Sequence, residues 1–171
     1  MDHANSETIR NRPQLAVFDI DGTLTEPHST TTSQEVADGL HHLHARGVIT
    51  TVCTGRPFVR MRETLGEHYD TIISENAMIP VEHGAKIVDK YGRVIVESAF
   101  DNDDIEKFIE FTGLNLDLVY FLAFNPGDIS RKTQIWCPDP AEIDSIREKR
   151  GWYADIFEGS LLDVKERLYS Q

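Results

Sequence analysis

A short apolar run that stops at two acids constrains this chain more than any other feature. Leu15-Ala16-Val17-Phe18 is unbroken hydrophobic sequence, the pattern of a strand buried on both faces. Asp19-Ile20-Asp21-Gly22-Thr23-Leu24-Thr25 follows at once, so the chain passes from apolar to acidic in one step. Strands of this kind belong to parallel sheets covered by helices, and the next segments can supply that cover. Ser33 is placed to cap a helix in which Val36, Leu40 and Leu43 recur at helical spacing, with Gly47 past its end. Val48-Ile49-Thr50-Thr51-Val52-Cys53 is a second β-rich run, and Pro57 suits the first turn of a helix reaching Leu65 or Gly66. Thr71-Ile72-Ile73-Ser74 reads as a third strand. The alternation of strand and helix predicts an α/β fold with a parallel sheet and right-handed crossovers.

The pattern changes near residue 80. Lys86–Asp89 and Arg93–Val96 flank Lys90-Tyr91-Gly92, which predicts a β-hairpin. Asn102 is read as the cap of a helix carrying Ile105, Phe108 and Ile109 on one face, with Gly113 after it. Strands are expected near Leu118–Phe124 and Thr133–Trp136. A helix should open at Pro140 and run towards Arg150, followed by a strand near Tyr153–Phe157 and a short helical tail. The expected organisation is a disordered lead-in over 1–12, a core over 13–80, a hairpin and connection over 81–100, and an α+β lobe with a tail over 101–171.

Composition narrows the function. Seventeen Lys and Arg stand against 29 Asp and Glu, a net charge of −12 spread along 171 residues. That field opposes nucleic acid and anionic membrane, so neither is expected as a partner. No apolar run approaches the roughly 18 residues that span a bilayer, and the polar start has no secretory apolar segment. Cys53 and Cys137 show no C-x-x-C spacing and read as reduced structural thiols. A cytoplasmic protein is expected.

The chemistry concentrates where the first two strands end, which is where open parallel sheets bind ligands. Asp19 and Asp21, two positions apart, can converge on one hard cation. One can attack a phosphorus centre while the other exchanges a proton with the leaving oxygen. The competing reading is that Asp21-Gly22 is a turn and Asp19 a strand-end cap. Thr54-Gly55-Arg56 ends the second strand; a hydroxyl and a glycine N–H before a helix N-terminus can cradle phosphate oxygens. Arg56 either meets phosphate or is a surface cation, and both readings stand.

Phe18-Asp19-Ile20-Asp21-Gly22-Thr23-Leu24-Thr25 resembles motif I of the haloacid dehalogenase superfamily. Val52-Cys53-Thr54-Gly55-Arg56 is similar to motif II of its Cof-type, sugar-phosphatase-like branch. The resemblance implies a Rossmannoid core with an α+β cap and a Mg²⁺-dependent phosphotransferase acting on small phosphorylated metabolites, sugar phosphates first. It makes Asp19 the nucleophile and Asp21 the general acid and base, and it has Thr54 hold the phosphoryl group. Asp19, and Asp21 through its backbone carbonyl, would bind Mg²⁺. Glu82-His83-Gly84-Ala85-Lys86-Ile87 is similar to the Asn-Gly-Ala segment of those enzymes, with the bland reading of His83 a turn residue.

Two elements of the family pattern, a phosphate-neutralising Lys and an acidic G-D-x-x-x-D-type motif, are not matched. Gly127-Asp128 is followed by Ile129-Ser130-Arg131-Lys132, with no acid at the required place. Asp139 and Asp144 read as surface-helix residues and Lys165 as a solvated helical lysine, with the missing family lysine the alternative for Lys165. The core then lacks strands, which predicts an exposed sheet edge. Three states stay open: half of an enzyme completed by another chain, a homo-oligomer that completes the site, or a family member that binds a phospho-ligand or protein partner without turnover. A phosphomutase would use the same nucleophile.

Overall fold

The computed structural model describes residues 14–26, 31–119, 121–124, 133–151 and 154–169. The lead-in over 1–12 and the Gly127–Lys132 stretch lie outside these. The chain divides into two compact units, Met1–Arg56 with Met61–Val96, and Pro57–Arg60 with Glu97–Gln171.

The first unit opens with β1 (Leu15–Phe18), α1 (Gln34–His44) and β2 (Ile49–Val52). β1 and β2 pair in parallel, with Leu15 opposite Ile49 and Phe18 opposite Val52. Ser33 caps α1 as its sequence predicts, its Oγ accepting from the Val36 N–H at 3.4 Å. The helix buries Ala37 and Leu40. Its end is tied to the sheet by His44, whose Nε2 lies 2.9 Å from Ser74 Oγ and also meets Thr50 Oγ1. Burial, reinforced by His41 and Lys90, pushes the His44 imidazole below its ordinary value.

Two expectations fail here. β1 is not buried on both faces: Leu15 is 55% and Val17 51% exposed. Among the described residues β1 pairs only with β2, so a strand whose sequence suits a fully covered sheet keeps one side bare. The expected third strand over Thr71–Ser74 is the end of a helical segment instead. α2 (Phe58–Leu65) passes through a 3₁₀ turn into α3 (Tyr69–Ile72). Met61, Leu65, Tyr69 and Ile72 fall at spacings of four, four and three and are all buried, so the helical period outweighs four residues of β propensity.

The strand that follows is β3 (Met78–Val81), antiparallel to β4 (Lys86–Asp89), with β5 (Val94–Glu97) beyond it. The hairpin between β4 and β5 is the predicted one; Asp89 Oδ1 accepts from the N–H groups of Tyr91 and Arg93, both at 2.9 Å. Val52, Met61, Ile72, Ile73, Ile79, Val81 and Val88 are fully buried and form the core.

In the second unit α4 (Asn102–Leu114) is capped by Asp101, not Asn102, its Oδ1 accepting from the Asp104 N–H at 2.8 Å. A 3₁₀ turn over Leu116–Leu118 takes the start of the expected strand, leaving β6 as Leu122–Phe124. β7 (Thr133–Trp136) pairs antiparallel with β6 and parallel with β8 (Ala154–Phe157); Tyr153 lies outside the described residues. α5 (Ile143–Arg150) packs Ile143 and Ile146 onto Ile135, Cys137 and Ala154, and α6 (Leu161–Tyr169) ends the chain's described part. The α/β class read from the sequence holds. No described helix is long and apolar enough to cross a membrane.

Candidate active site

The Asp19–Thr25 loop is organised around one carbonyl. Ile20 O accepts from the N–H groups of Thr23, Leu24 and Thr25 at 3.0 to 3.2 Å, and from the Thr25 hydroxyl at 3.1 Å. Ile20 and Leu24 are buried, at 0% and 4% exposure, and pin the loop while the acids at 19 and 21 stay exposed. Gly22 makes the turn possible: its φ of +78° is a left-handed conformation that side chains resist.

β2 brings the second motif to the same end of the sheet. The Cys53 N–H donates to Phe18 O at 2.8 Å, so Thr54 follows one step beyond the β1 end that bears Asp19. Thr54 is buried at 3% exposure, and its Oγ1 accepts from the Arg56 N–H at 3.1 Å. Arg56 then reaches Asp21 with both prongs, Nε to Oδ2 at 3.0 Å and Nη2 to Oδ1 at 2.5 Å, while Nη1 donates to Thr64 Oγ1. Hydrogen bonding from Arg56, aided by its charge, holds the Asp21 carboxyl below its ordinary range despite partial desolvation. Asp21, Thr54 and Arg56 are thus linked by hydrogen bonds, with Gly55 in the same loop and Asp19 just past the adjoining end of β1.

A third segment supports this loop and was not assigned a role from the sequence. Thr54 N–H donates to Pro80 O at 3.1 Å, Glu82 N–H to Arg56 O at 3.1 Å, and His83 N–H to Thr54 O at 3.3 Å. Glu82 and His83 both take left-handed backbone, φ 54° and 56°, a conformation that costs a non-glycine residue about 1–2 kcal/mol. Beneath them Glu82 Oε2 and Lys86 Nζ pair at 3.3 Å with both side chains buried. The available signal was two opposite charges four apart between apolar Val81 and Ile87; as part of a strand pattern it gave no reason to expect burial.

The remaining sequence candidates serve local structure. Lys165 pairs with Glu106, Nζ to Oε1 at 2.6 Å, within the second unit. Asp139 caps the turn before α5 through the Ala141 N–H at 2.9 Å, and Asp144 accepts from Arg147 at 2.8 Å. Cys53 and Cys137 are both free thiols.

The donor set suits a hard divalent cation in kind and only just in number. Asp19 and Asp21 offer carboxylate oxygens, and Mg²⁺ commonly binds through one or two carboxylates with water and phosphate filling the rest. No third acid, His or Cys joins them among the described residues, and Arg56 already engages both Asp21 oxygens.

Residues 16–160 match the haloacid dehalogenase-like hydrolases. This chain belongs to that family of enzymes. Rice (Oryza sativa subsp. indica) phosphomannomutase is 33% identical over 107 residues, covering 60% of this chain and 41% of that protein. YxeH of Bacillus subtilis (strain 168), named as a candidate phosphatase, is 31% identical over 100 residues, covering 58% and 36%. The matches thus span about two fifths of these relatives' length. The fold recurs in solved phosphatases and Cof-like hydrolases of the superfamily. Against the phosphatase BT1666 of Bacteroides thetaiotaomicron the TM-score is 0.69 at 18% identity, covering all of this chain and 56% of the other.

Proposed function

We propose that this site transfers the phosphoryl group of a small phosphorylated metabolite, a sugar phosphate foremost, with water as the final acceptor. The observation that carries the reading is the two-pronged contact between Asp21 and Arg56, which joins the acidic loop to the Thr54 loop. An Asp19 oxygen attacks phosphorus, the ester P–O bond breaks, and the departing oxygen takes a proton from Asp21. Water then attacks the aspartyl-phosphate, returns a proton to Asp21, and releases orthophosphate and free Asp19. Thr54, the Gly55 N–H and Arg56 hold the non-reacting oxygens. Mg²⁺, which the Asp19 carboxylate and the Asp21 backbone carbonyl would hold, would supply the charge neutralisation that a carboxylate nucleophile and a phosphate dianion require.

The Arg56 contact has a consequence for the order of events. A carboxylate held low by a guanidinium is a poor proton donor. Phosphoryl oxygens that draw Arg56 away raise Asp21 towards the range where it can give up a proton usefully, so substrate arrival and acid competence are coupled. Asp19→Asn should abolish hydrolysis of an aryl phosphate in Mg²⁺, and turnover that survives it would end the nucleophile assignment.

A mutase is the second reading, favoured by the rice relative's name. It differs in the fate of the aspartyl-phosphate, which passes to a second sugar hydroxyl in place of water. Supplying a hexose 1-phosphate and following products by phosphorus NMR separates them: orthophosphate supports the phosphatase, a positional isomer the mutase.

A further inference from the structure

The imidazole of His83 lies directly on Gly55, the middle one of the three residues placed against phosphate. A methyl group at Gly55 would sit 2.7 Å from His83 Nε2 and 2.8 Å from Nδ1, inside contact distance. An alanine here would have to push the ring aside. The ring is solvent-exposed, yet its placement is not left to chance: its own N–H is bonded to Thr54 O, its backbone is left-handed, and the preceding residue is anchored by the buried Glu82–Lys86 pair. Neither ring nitrogen has a hydrogen-bond partner among the described residues. A polar ring held against the phosphate loop with both nitrogens open has hydrogen-bonding capacity to offer a ligand. It stands beside Thr54 and Arg56, so a ligand whose phosphoryl group they hold presents its attached carbon skeleton within the ring's surroundings.

Resting on the phosphoryl-transfer reading, we infer that His83 is a specificity-determining residue that hydrogen-bonds a hydroxyl of the organic part of the substrate, selecting hydroxyl-bearing phosphate esters over orthophosphate. Glu82 and Lys86 are positioning residues that hold it there. The test uses the full 171-residue chain in Mg²⁺ and two probes, orthophosphate and the phosphonate analogue of glucose 6-phosphate, whose P–C bond resists hydrolysis. Dissociation constants come from amide and His83 ring shifts in NMR titrations. His83→Asn keeps a side chain that tolerates left-handed backbone. It should weaken the phosphonate about threefold to tenfold, the worth of one hydrogen bond, and change orthophosphate by less than about twofold. Equal losses for both probes, or none for either, overturn the inference while leaving the phosphoryl site intact. If the unaltered chain binds neither probe, the phosphoryl-site reading fails and takes this one with it.

Discussion

Two carboxylate–cation pairs flank the Thr54–Arg56 loop and do opposite work. Asp21 and Arg56 meet at 2.5 Å, but 60% of the Asp21 side chain is exposed; Glu82 and Lys86 stand farther apart, at 3.3 Å, with 6% and 4% of their side chains exposed. Distance ranks them one way and burial the other, and burial decides. Water competes for the exposed pair, so its net contribution is small and a phosphate or metal ion can exchange with it. The buried pair has no such competitor. Losing one member takes from a buried charge its opposite partner, while the intact pair keeps the 82–86 turn in a backbone state that its residues would not choose alone. In the proposed site a fixed pair would shape the loop and an exchangeable pair would respond to ligand.

That contrast can be broken at several points. The largest effect belongs to the buried pair: Lys86→Met or Glu82→Gln alone should cost about 3–5 kcal/mol in urea unfolding. A combined Glu82→Leu and Lys86→Met chain should recover most of that stability, since no charge is then stranded. Stability lost equally in single and combined variants would mean that packing, not charge, is at stake. Next comes Arg56→Ala, which should weaken orthophosphate binding by about 1.5–3 kcal/mol, the worth of a hydrogen bond to a charged group, as read by calorimetric titration. Its unfolding free energy should fall by less than in the single Glu82 or Lys86 variants; an equal or larger loss would make the pair structural after all.

The smallest effect is in acid. Asp21 sits below its ordinary 3.8 in the folded chain, so its contribution is present above that value and lost as pH falls through the lowered one. Asp21→Asn should therefore flatten the stability profile only below about pH 4. A difference larger than about 1 kcal/mol at pH 7 would show that the exposed pair contributes more than its solvation allows. His44 shifts in the same direction with a different range. Its folded imidazole is lowered, so stability should fall as pH drops below about 6.5, and His44→Gln should remove that slope in thermal melts.

Much of the first unit was readable in one dimension. The β1 strand, the Asp-x-Asp-Gly loop, the α1 cap at Ser33 and the β4–β5 hairpin all rest on contacts a few residues long, where propensity and turn chemistry settle the outcome. The errors fall where a longer period or a distant neighbour intervenes. Ile72 and Ile73 have β-branched side chains, yet Met61, Leu65 and Tyr69 had already set a helical face for them to continue. Leu15 and Val17 read as buried because sequence records what a strand suits, not which neighbours it has. Asp19, Asp21, Thr54, Gly55 and Arg56 could be singled out as candidates because each follows closely on a strand end. Glu82 and Lys86 could not, because nothing local distinguishes a buried i,i+4 pair from a solvated one.

What the order of residues determined by itself is the set of chemical groups and the ends of the strands that carry them, since apolar runs, caps and turns act over a single helical turn or hairpin. What only the tertiary structure decided is which charges meet and which of them water can reach: that Arg56 closes on Asp21 across 35 residues of chain, that Lys86 is sealed against Glu82, and that His83 lies on Gly55. Solvent exposure and the strength of a charge pair are properties of the folded surface, and no stretch of sequence contains the walls that create them.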